Sequence, residues 1–227
     1  GIVAEILTEA RSAGVSLQRP PREALDRLCG TDRHQGVAAA AAAHAYATVD
    51  EILRDANRRG EPPLLLALDS LQDPQNFGTL LRTAEAVGAH GVIIPKHRAV
   101  GLTASVAKAS AGAIEYLKVA QVTNLTRALD DLKKQGLWVV GLDMQGARPY
   151  DEQDLSFPLV LVVGSEGKGI SRLVREHCDL VVRLPMRGHV DSLNAAVAGS
   201  IVLFEAWRQR DRGQRQRPVD FDRAGEA

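Results

Sequence analysis

Short apolar runs alternate with amphipathic segments along most of the chain after residue 63. The apolar runs predict strands at Leu64–Asp69, Gly91–Pro95, Tyr116–Val119, Leu137–Leu142, Leu159–Val163 and Leu180–Leu184. Helical spacing predicts helices at Phe77–Val87, Thr103–Ser110, Asn124–Gln135, Ser171–His177 and Ser192–Arg210. Continuous apolar strands that alternate with helices are typical of a mostly parallel sheet covered on both faces. The predicted fold class is therefore α/β.

The first 60 residues show a different pattern. Helices are predicted at Ile2–Ala13, Arg22–Leu28 and Thr48–Arg58, the last with Thr48 as its N-cap. The alanine-rich run Gly36–Ala47 fits either a helix or a buried strand. A Gly and two prolines at 60–63 mark a boundary. We expect a small α/β unit with its linker over 1–60, a larger unit over 61–211, and a basic, disordered tail over 212–227.

The overall charge argues weakly against a nucleic-acid partner. The chain has 28 lysines and arginines and 28 aspartates and glutamates, so the formal net charge is zero. Proteins that bind nucleic acids usually carry a surplus of basic residues. The basic residues are nevertheless clustered, at 54–59, 96–98 and 208–217. These clusters are compatible either with solvated surface or with phosphate contacts.

Cysteine use and hydropathy predict the environment of the protein. Cys29 and Cys178 have neither the spacing of metal ligands nor that of a disulfide framework, so we expect a reducing, cytoplasmic location and no metal. The longest strongly apolar run, Leu159–Val163, is far too short to cross a bilayer. We therefore expect no membrane association.

A glycine-rich turn follows the predicted strand Leu159–Val163. It reads Gly164-Ser165-Glu166-Gly167-Lys168-Gly169, which matches neither the dinucleotide-binding fingerprint nor a phosphate-binding loop. Parallel α/β proteins bind ligands at the carboxyl ends of strands, and glycines let the backbone approach a ligand closely. A plain tight turn would also explain the glycines, but it would not require the carboxylate of Glu166.

Two further polar loops follow predicted strands. One runs from Asp69 through Asn76 into a helix that carries Arg82, an arrangement that suits capture of a phosphate or ribose; the alternative for Arg82 is an ordinary surface residue. The other leads from Leu184 to Ser192 and Asn194. Here the alternative for Ser192 is a simple helix cap.

Together the three loops resemble the three motifs of the SpoU (TrmH-like) family of RNA 2′-O-methyltransferases, in the SPOUT class. The matching segments are Asn76-Phe77-Gly78 with Arg82, Val163 to Gly169, and Leu184-Pro185-Met186 followed by Ser192-Leu193-Asn194. Their order and spacing agree with the family, and the resemblance covers about residues 62–210.

The resemblance implies an S-adenosylmethionine-dependent enzyme that methylates a ribose 2′-hydroxyl in structured RNA. It also implies a C-terminal trefoil knot that forms the cofactor site, and a homodimer with the catalytic arginine and the cofactor on different subunits. From the resemblance we expect these catalytic residues: Arg82, Asn76, Glu166, Ser192 and Asn194. The resemblance also implies these cofactor-binding residues: Gly164, Leu184, Met186 and Leu193.

Roles follow from the chemistry of each side chain. Arginine stays protonated in proteins, so we expect Arg82 to clamp a phosphate and orient the ribose rather than act as a base. Glu166 is expected to hold Arg82 or a partner loop, and Asn76 to position the substrate or Arg82. Ser192 and Asn194 are expected to fix the catalytic loop and the nucleotide.

Three shorter segments resemble one bacterial subfamily. His34–Val37, Lys108–Ala113 and Val122–Leu125 are similar to enzymes that methylate a guanosine ribose in 23S rRNA. Residues 1–60 resemble only the later part of that subfamily's N-terminal domain, which is similar to a ribosomal RNA-binding protein, so we expect a partial RNA-binding domain. The alternatives are a tRNA or another rRNA site, or a catalytically silent RNA-binding or ribosome-assembly protein.

Overall fold

The computed structural model describes residues 1–40 and 44–215. The chain divides into two compact units, residues 1–43 and 44–227. The predicted basic tail falls mostly outside the described residues, because 216–227 are not among them. Its first residues, 212–215, continue the last helix instead of leaving it.

The first unit shows two helices, α1 (Ile2–Ser12) and α2 (Arg22–Cys29). Neither helix contains a buried residue. His34 Nε2 lies 2.8 Å from a carboxylate oxygen of Asp26 and ties the chain after α2 back to that helix. Residues 1–40 contain no strand, so this part does not have the α/β character that we predicted. The alanine-rich run forms neither a helix nor a strand over 36–40, and residues 41–43 lie outside the described part.

The second unit begins before the predicted boundary at residue 60. Helix α3 (Val49–Arg59) belongs to it, with a capping box between Thr48 and Glu51. Ile52 and Ala56 are fully buried. An amphipathic helix must bury its apolar face against another layer, and α3 does so within the second unit.

A parallel sheet of seven strands forms the centre of the second unit, in the order β3-β2-β1-β6-β4-β7-β5. The strands are β1 Leu64–Asp69, β2 Gly91–Pro95, β3 Val119–Val122, β4 Trp138–Leu142, β5 Arg148–Pro149, β6 Leu159–Gly164 and β7 Leu180–Arg183. Every neighbouring pair is parallel, which confirms the α/β fold.

Two strand predictions need correction. The strand predicted at Tyr116–Val119 forms instead at Val119–Val122, because a short 3-10 turn at Ala113–Glu115 precedes it and Tyr116 is 80% exposed. The two-residue strand β5 was not predicted, because so short a segment has no recognisable apolar periodicity.

Helices cover both faces of the sheet. They are α4 Pro74–Ala86, α5 Ala104–Ala109, α6 Leu125–Lys134, α7 Arg172–His177 and α8 Ala195–Arg215. Side chains of β1 alternate between two cores: Leu66 packs with α4, α5 and α8, whereas Leu65 packs with α3, α6 and α7. The trefoil knot that the resemblance implies is compatible with this topology and stays a prediction.

Residues 1–40 and 44–215 are also characterised by the apolarity of their helices and by the placement of their potential metal ligands. None of the helices there is long and apolar enough to span a bilayer. The same residues hold no group of three or more His, Cys, Asp or Glu side chains arranged to bind a metal ion.

Candidate active site

The strand register places the three candidate loops at one edge of the sheet. Asp69 at the end of β1 is level with Gly164 at the end of β6, and Leu142 of β4 is level with both Val163 and Val182. The loops after β1, β6, β4 and β7 therefore start side by side. Because neighbouring strands lie about 4.8 Å apart, the ends of β6 and β7 are roughly 10 Å apart across β4.

Asn76 connects the first loop to the glycine-rich turn. It lies in the first turn of α4, which Asp73 caps by accepting hydrogen bonds from the backbone N–H groups of Gln75 and Asn76, at 2.6 and 3.1 Å. The Asn76 side-chain amide donates to Oε1 of Glu166. An ionised carboxylate can only accept hydrogen bonds, so this contact determines which end of the amide is Nδ2.

Asn194 connects the third loop to the same amide. Its Nδ2 donates to Oδ1 of Asn76 at 2.9 Å, and its own Oδ1 accepts from the backbone N–H groups of Ala196 and Val197 at 2.9 and 3.1 Å. Asn194 is thus the N-cap of α8, the role that Ser192 was considered for. Glu166, Asn76 and Asn194 form one hydrogen-bonded chain across three loops that are distant in sequence.

The glycine-rich turn is tightly closed. Ser165 and Gly169 exchange two backbone hydrogen bonds, at 3.1 and 3.0 Å. A Cβ on Gly164 would lie 2.0 Å from the backbone carbon and oxygen of Gly169, so only glycine fits this position. The turn holds Glu166 at the position where it meets α4.

The other predicted cofactor residues follow β7. Leu184 is half-buried and packs against the core on the α4 side of the sheet. Met186 and Leu193 are 38% and 42% exposed. Ser192 is exposed, and its side chain makes no hydrogen bond within the described part of the chain. The structure therefore brings Asn76, Glu166 and Asn194 into contact and leaves Ser192 apart from them.

Within one chain Arg82 does not contact Glu166, whose carboxylate accepts from Asn76, and the pairing of Glu166 with Arg82 stays a prediction. Six residues separate Arg82 from Asn76, which places the two roughly 120° apart around α4. Arg82 is exposed and makes neither a hydrogen bond nor an ion pair with the residues described. Thr79, three residues earlier, lines an apolar groove along α8 together with Val197, Phe204 and Trp207.

Two acidic residues that we did not predict as site residues stabilise the loops around the site. Asp69 Oδ2 accepts from the backbone N–H of Ser171 at 2.7 Å, and Asp143 Oδ2 lies 2.6 Å from a guanidinium nitrogen of Arg175. Both carboxylates lie at or directly after the carboxyl end of a strand, β1 and β4. That position is a sequence signal that could have identified them.

Comparison with known proteins agrees with this geometry. Residues 63–204 match the model of the SpoU rRNA Methylase family, and residues 2–47 match that for RNA 2′-O ribose methyltransferase substrate binding. The chain is 49% identical over 211 residues to YacO of Bacillus subtilis, a name that places YacO with TrmH family tRNA/rRNA methyltransferases. The match covers 93% of this chain and 84% of YacO.

Two solved structures share the fold. The SpoU methyltransferase AviRb from Streptomyces viridochromogenes, in complex with the cofactor AdoMet, superposes with a TM-score of 0.67 at 31% identity, over 74% of this chain and 67% of AviRb. The A. aeolicus TrmH/SpoU tRNA modifying enzyme superposes with a TM-score of 0.62 at 27% identity, over 73% and 85% of the two chains. With its three loops joined at one sheet edge and a family match over most of its length, this chain belongs to the SpoU rRNA methylase family.

Proposed function

We propose that this protein transfers a methyl group from S-adenosylmethionine to the 2′-hydroxyl of a ribose in structured RNA. The observation that carries the proposal is the hydrogen-bonded chain of Glu166, Asn76 and Asn194, which joins the three loops into one polar site. The substrate-binding match of residues 2–47 and the AdoMet complex of AviRb support the same chemistry.

The loops beside this chain fit the cofactor. Gly164 lets the turn close tightly at the end of β6, and Met186 and Leu193 offer partly exposed apolar side chains after β7, where Leu184 is half-buried. We assign cofactor binding to these four residues. When bound, S-adenosylmethionine supplies a methyl group on a sulfonium sulfur, whose departure as a neutral thioether needs no acid.

The active site must still orient the ribose 2′-hydroxyl and assist the loss of its proton. Asn76 uses one N–H of its amide for Glu166, so the second N–H is available to the substrate. Arg82 has no partner among the described residues and is suited to grip the adjacent phosphate in a bidentate manner. Ser192, exposed before α8, is assigned to the bound nucleotide.

The position of Arg82 supports a homodimer. The apolar groove beside it contains Val197, Phe204 and Trp207, which are 43–48% exposed. Exposed apolar patches of this kind mark interaction surfaces. A second copy seated on α8 would cover them, and the family resemblance implies that Arg82 would then act beside the cofactor of the partner. Sedimentation analysis of the wild type and of Trp207→Glu tests this arrangement: the variant is expected to be monomeric.

The finer substrate assignment is a guanosine of 23S rRNA, and the site of action is proposed to be cytoplasmic. The assignment to 23S rRNA rests on the resemblance of three segments to one subfamily: His34–Val37, Lys108–Ala113 and Val122–Leu125. The names of the relatives include both tRNA and rRNA, so tRNA is the alternative substrate to be tested.

The decisive experiment uses methyl-labelled S-adenosylmethionine with 23S rRNA, 16S rRNA and tRNA in parallel. We expect label in 23S rRNA, at a linkage that resists alkaline cleavage because the 2′-oxygen is blocked. Label at an alkali-sensitive position would indicate base methylation and contradict the proposal. Cofactor binding without transfer to any RNA would instead identify a catalytically silent RNA-binding protein.

A further inference from the structure

One half of the sheet carries an excess of positive charge that the neutral total conceals. Residues 86–129, which build β2, α5 and β3, contain five lysines and arginines and a single acidic residue, Glu115. The rest of the chain therefore has 23 basic and 27 acidic residues. The zero net charge is thus the sum of a basic region and a mildly acidic remainder.

Three consecutive exposed residues of this region form the loop Lys96-His97-Arg98, which directly follows β2. Its backbone is anchored on three sides. Lys96 N–H donates to Val122 O at 2.8 Å, Val100 N–H donates to Leu71 O at 2.9 Å, and Leu102 N–H donates to the Tyr46 hydroxyl at 3.0 Å. The loop therefore holds its cations in place instead of leaving them on a loose segment.

Lys96 and Arg98 lack acidic partners among the described residues, whereas several cations elsewhere in the second unit are paired. The side chains of Lys96, His97 and Arg98 make no hydrogen bond or ion pair among the described residues. Lys133, by contrast, lies 2.6 Å from Asp179. Unpaired cations that share one face form a region of positive potential that attracts polyanions.

Arg127 extends this basic surface to the edge of the sheet. It lies in the first turn of α6, directly after β3, and is exposed. The two carboxylates one turn further along the helix have other partners: Asp130 lies 2.7 Å from His177, and Asp131 accepts from Lys134 at 2.8 Å and interacts with Arg127 only at longer range. The guanidinium of Arg127 is therefore available to an external anion.

The basic surface is continuous with the proposed active site. Ala67 of β1 is level with Ile93 of β2, and Pro95 of β2 is level with Val122 of β3. The end of β2 is thus two strands, roughly 10 Å, from Gly164. The hydrogen bond from Val100 to Leu71 joins the loop directly to the segment that leads into α4.

We propose that Lys96, Arg98 and Arg127 bind the phosphate backbone of the RNA that flanks the methylated nucleotide. This inference rests on the proposed function and adds a substrate track that runs from the active site across the ends of β1, β2 and β3. The contacts are to phosphates and therefore strengthen binding without specifying the base. They also explain how a chain with no net charge binds a polyanion.

The test compares matched double variants of the full chain. Lys96→Gln/Arg98→Gln removes two cations from the track. Arg58→Gln/Lys134→Gln removes two exposed cations from the far ends of α3 and α6, where side-chain exposure is 75% and 74%. Binding of a 23S rRNA transcript is measured from 50 to 300 mM salt. Methyl transfer kinetics and calorimetric S-adenosylmethionine binding complete the set.

We expect the slope of log affinity against log salt to become shallower by about 0.7–0.9 for each lost phosphate contact in the track variant. The KM for RNA should rise about tenfold or more near 0.1 M salt, with kcat at saturating RNA and cofactor affinity unchanged. The control variant should keep the wild-type slope. Arg127→Gln should make the slope shallower by the amount expected for one phosphate contact, whereas Lys134→Gln on the same helix should leave the slope unchanged.

The outcomes separate this inference from the proposed function. Wild-type methyl transfer with identical salt slopes for the track and control variants would overturn the track and leave the function standing. Salt-dependent binding through the track with no methyl transfer by the wild type would support the track and overturn the function. A defect seen only with intact ribosomal particles, and not with naked RNA, would indicate a protein partner and overturn the track.

Discussion

Replacing Gly164 by alanine tests the central packing of the active site. The new Cβ would lie 2.0 Å from the Gly169 carbonyl carbon and oxygen and 2.2 Å from the Ile170 nitrogen. Real Cβ atoms essentially never approach other atoms closer than 3.0 Å. These neighbours are backbone atoms that cannot rotate aside, so the turn must move by about 1 Å relative to β6.

The cost follows from what this displacement disrupts. The two backbone hydrogen bonds between Ser165 and Gly169 contribute about 1 kcal/mol each, and the charge-assisted contact from Asn76 to Glu166 contributes about 1.5–3 kcal/mol. Partial loss of these contacts predicts a decrease of about 2–4 kcal/mol in the free energy of unfolding. The same displacement deforms the proposed cofactor site, so S-adenosylmethionine affinity should fall at least tenfold.

Urea denaturation and calorimetric titration with S-adenosylmethionine measure the two effects. Gly188→Ala is the matched control, because a Cβ there meets nothing within 4 Å and the residue lies in the neighbouring loop. It should change stability by no more than about 0.5 kcal/mol. Equal urea midpoints for the two variants would refute the packing argument. Lost stability of Gly164→Ala with wild-type cofactor affinity would refute the cofactor role of the turn.

Four further predictions follow from single side chains. Arg82→Ala should abolish methyl transfer yet leave S-adenosylmethionine affinity within about twofold, because this guanidinium is assigned to the RNA phosphate. Asn76→Asp should reduce kcat by roughly 100-fold, because it sets a carboxylate against Glu166 and displaces the substrate-orienting group. Arg210→Met should lower the free energy of unfolding by about 1–3 kcal/mol, since Arg210 donates to the carbonyls of the prolines at 62–63 and of Phe157, at 2.6–3.0 Å, and these would lose their donor. Burial raises the pKa of the Cys178 thiol to about 12, so iodoacetamide at pH 8 should modify it far more slowly in the folded protein than in urea.

Each of these predictions has an outcome that contradicts it. Loss of cofactor binding in Arg82→Ala, measured by calorimetry, would place this side chain at the cofactor instead of the RNA. Wild-type kcat in Asn76→Asp would show that the contact with Glu166 is dispensable for transfer. Arg208→Met is the control for Arg210→Met, because its pairing with Glu205 is partly exposed and should contribute under about 1 kcal/mol. Rapid labelling of Cys178 in the folded protein, detected by mass spectrometry, would contradict its burial.

Much of the second unit could be predicted from sequence because its signals are local. Apolar runs located β1, β2, β4, β6 and β7, since a strand buried on both faces must be apolar throughout. A capping residue predicted the start of α3 at Thr48, because a cap satisfies the backbone within its own turn. Motif resemblance likewise identified the family, as the comparisons confirm.

The tertiary structure alone decided which of these residues meet. Glu166 lies 90 residues from Asn76 in sequence, and Asn194 lies 118 residues from it. Only the parallel register brings the loops after β1 and β6 to the same edge of the sheet. Within one chain Glu166 meets Asn76 and not Arg82, because helix rotation places Arg82 on another face of α4. Local patterns determine elements and chemical groups, whereas contacts between distant loops depend on the register of the sheet between them.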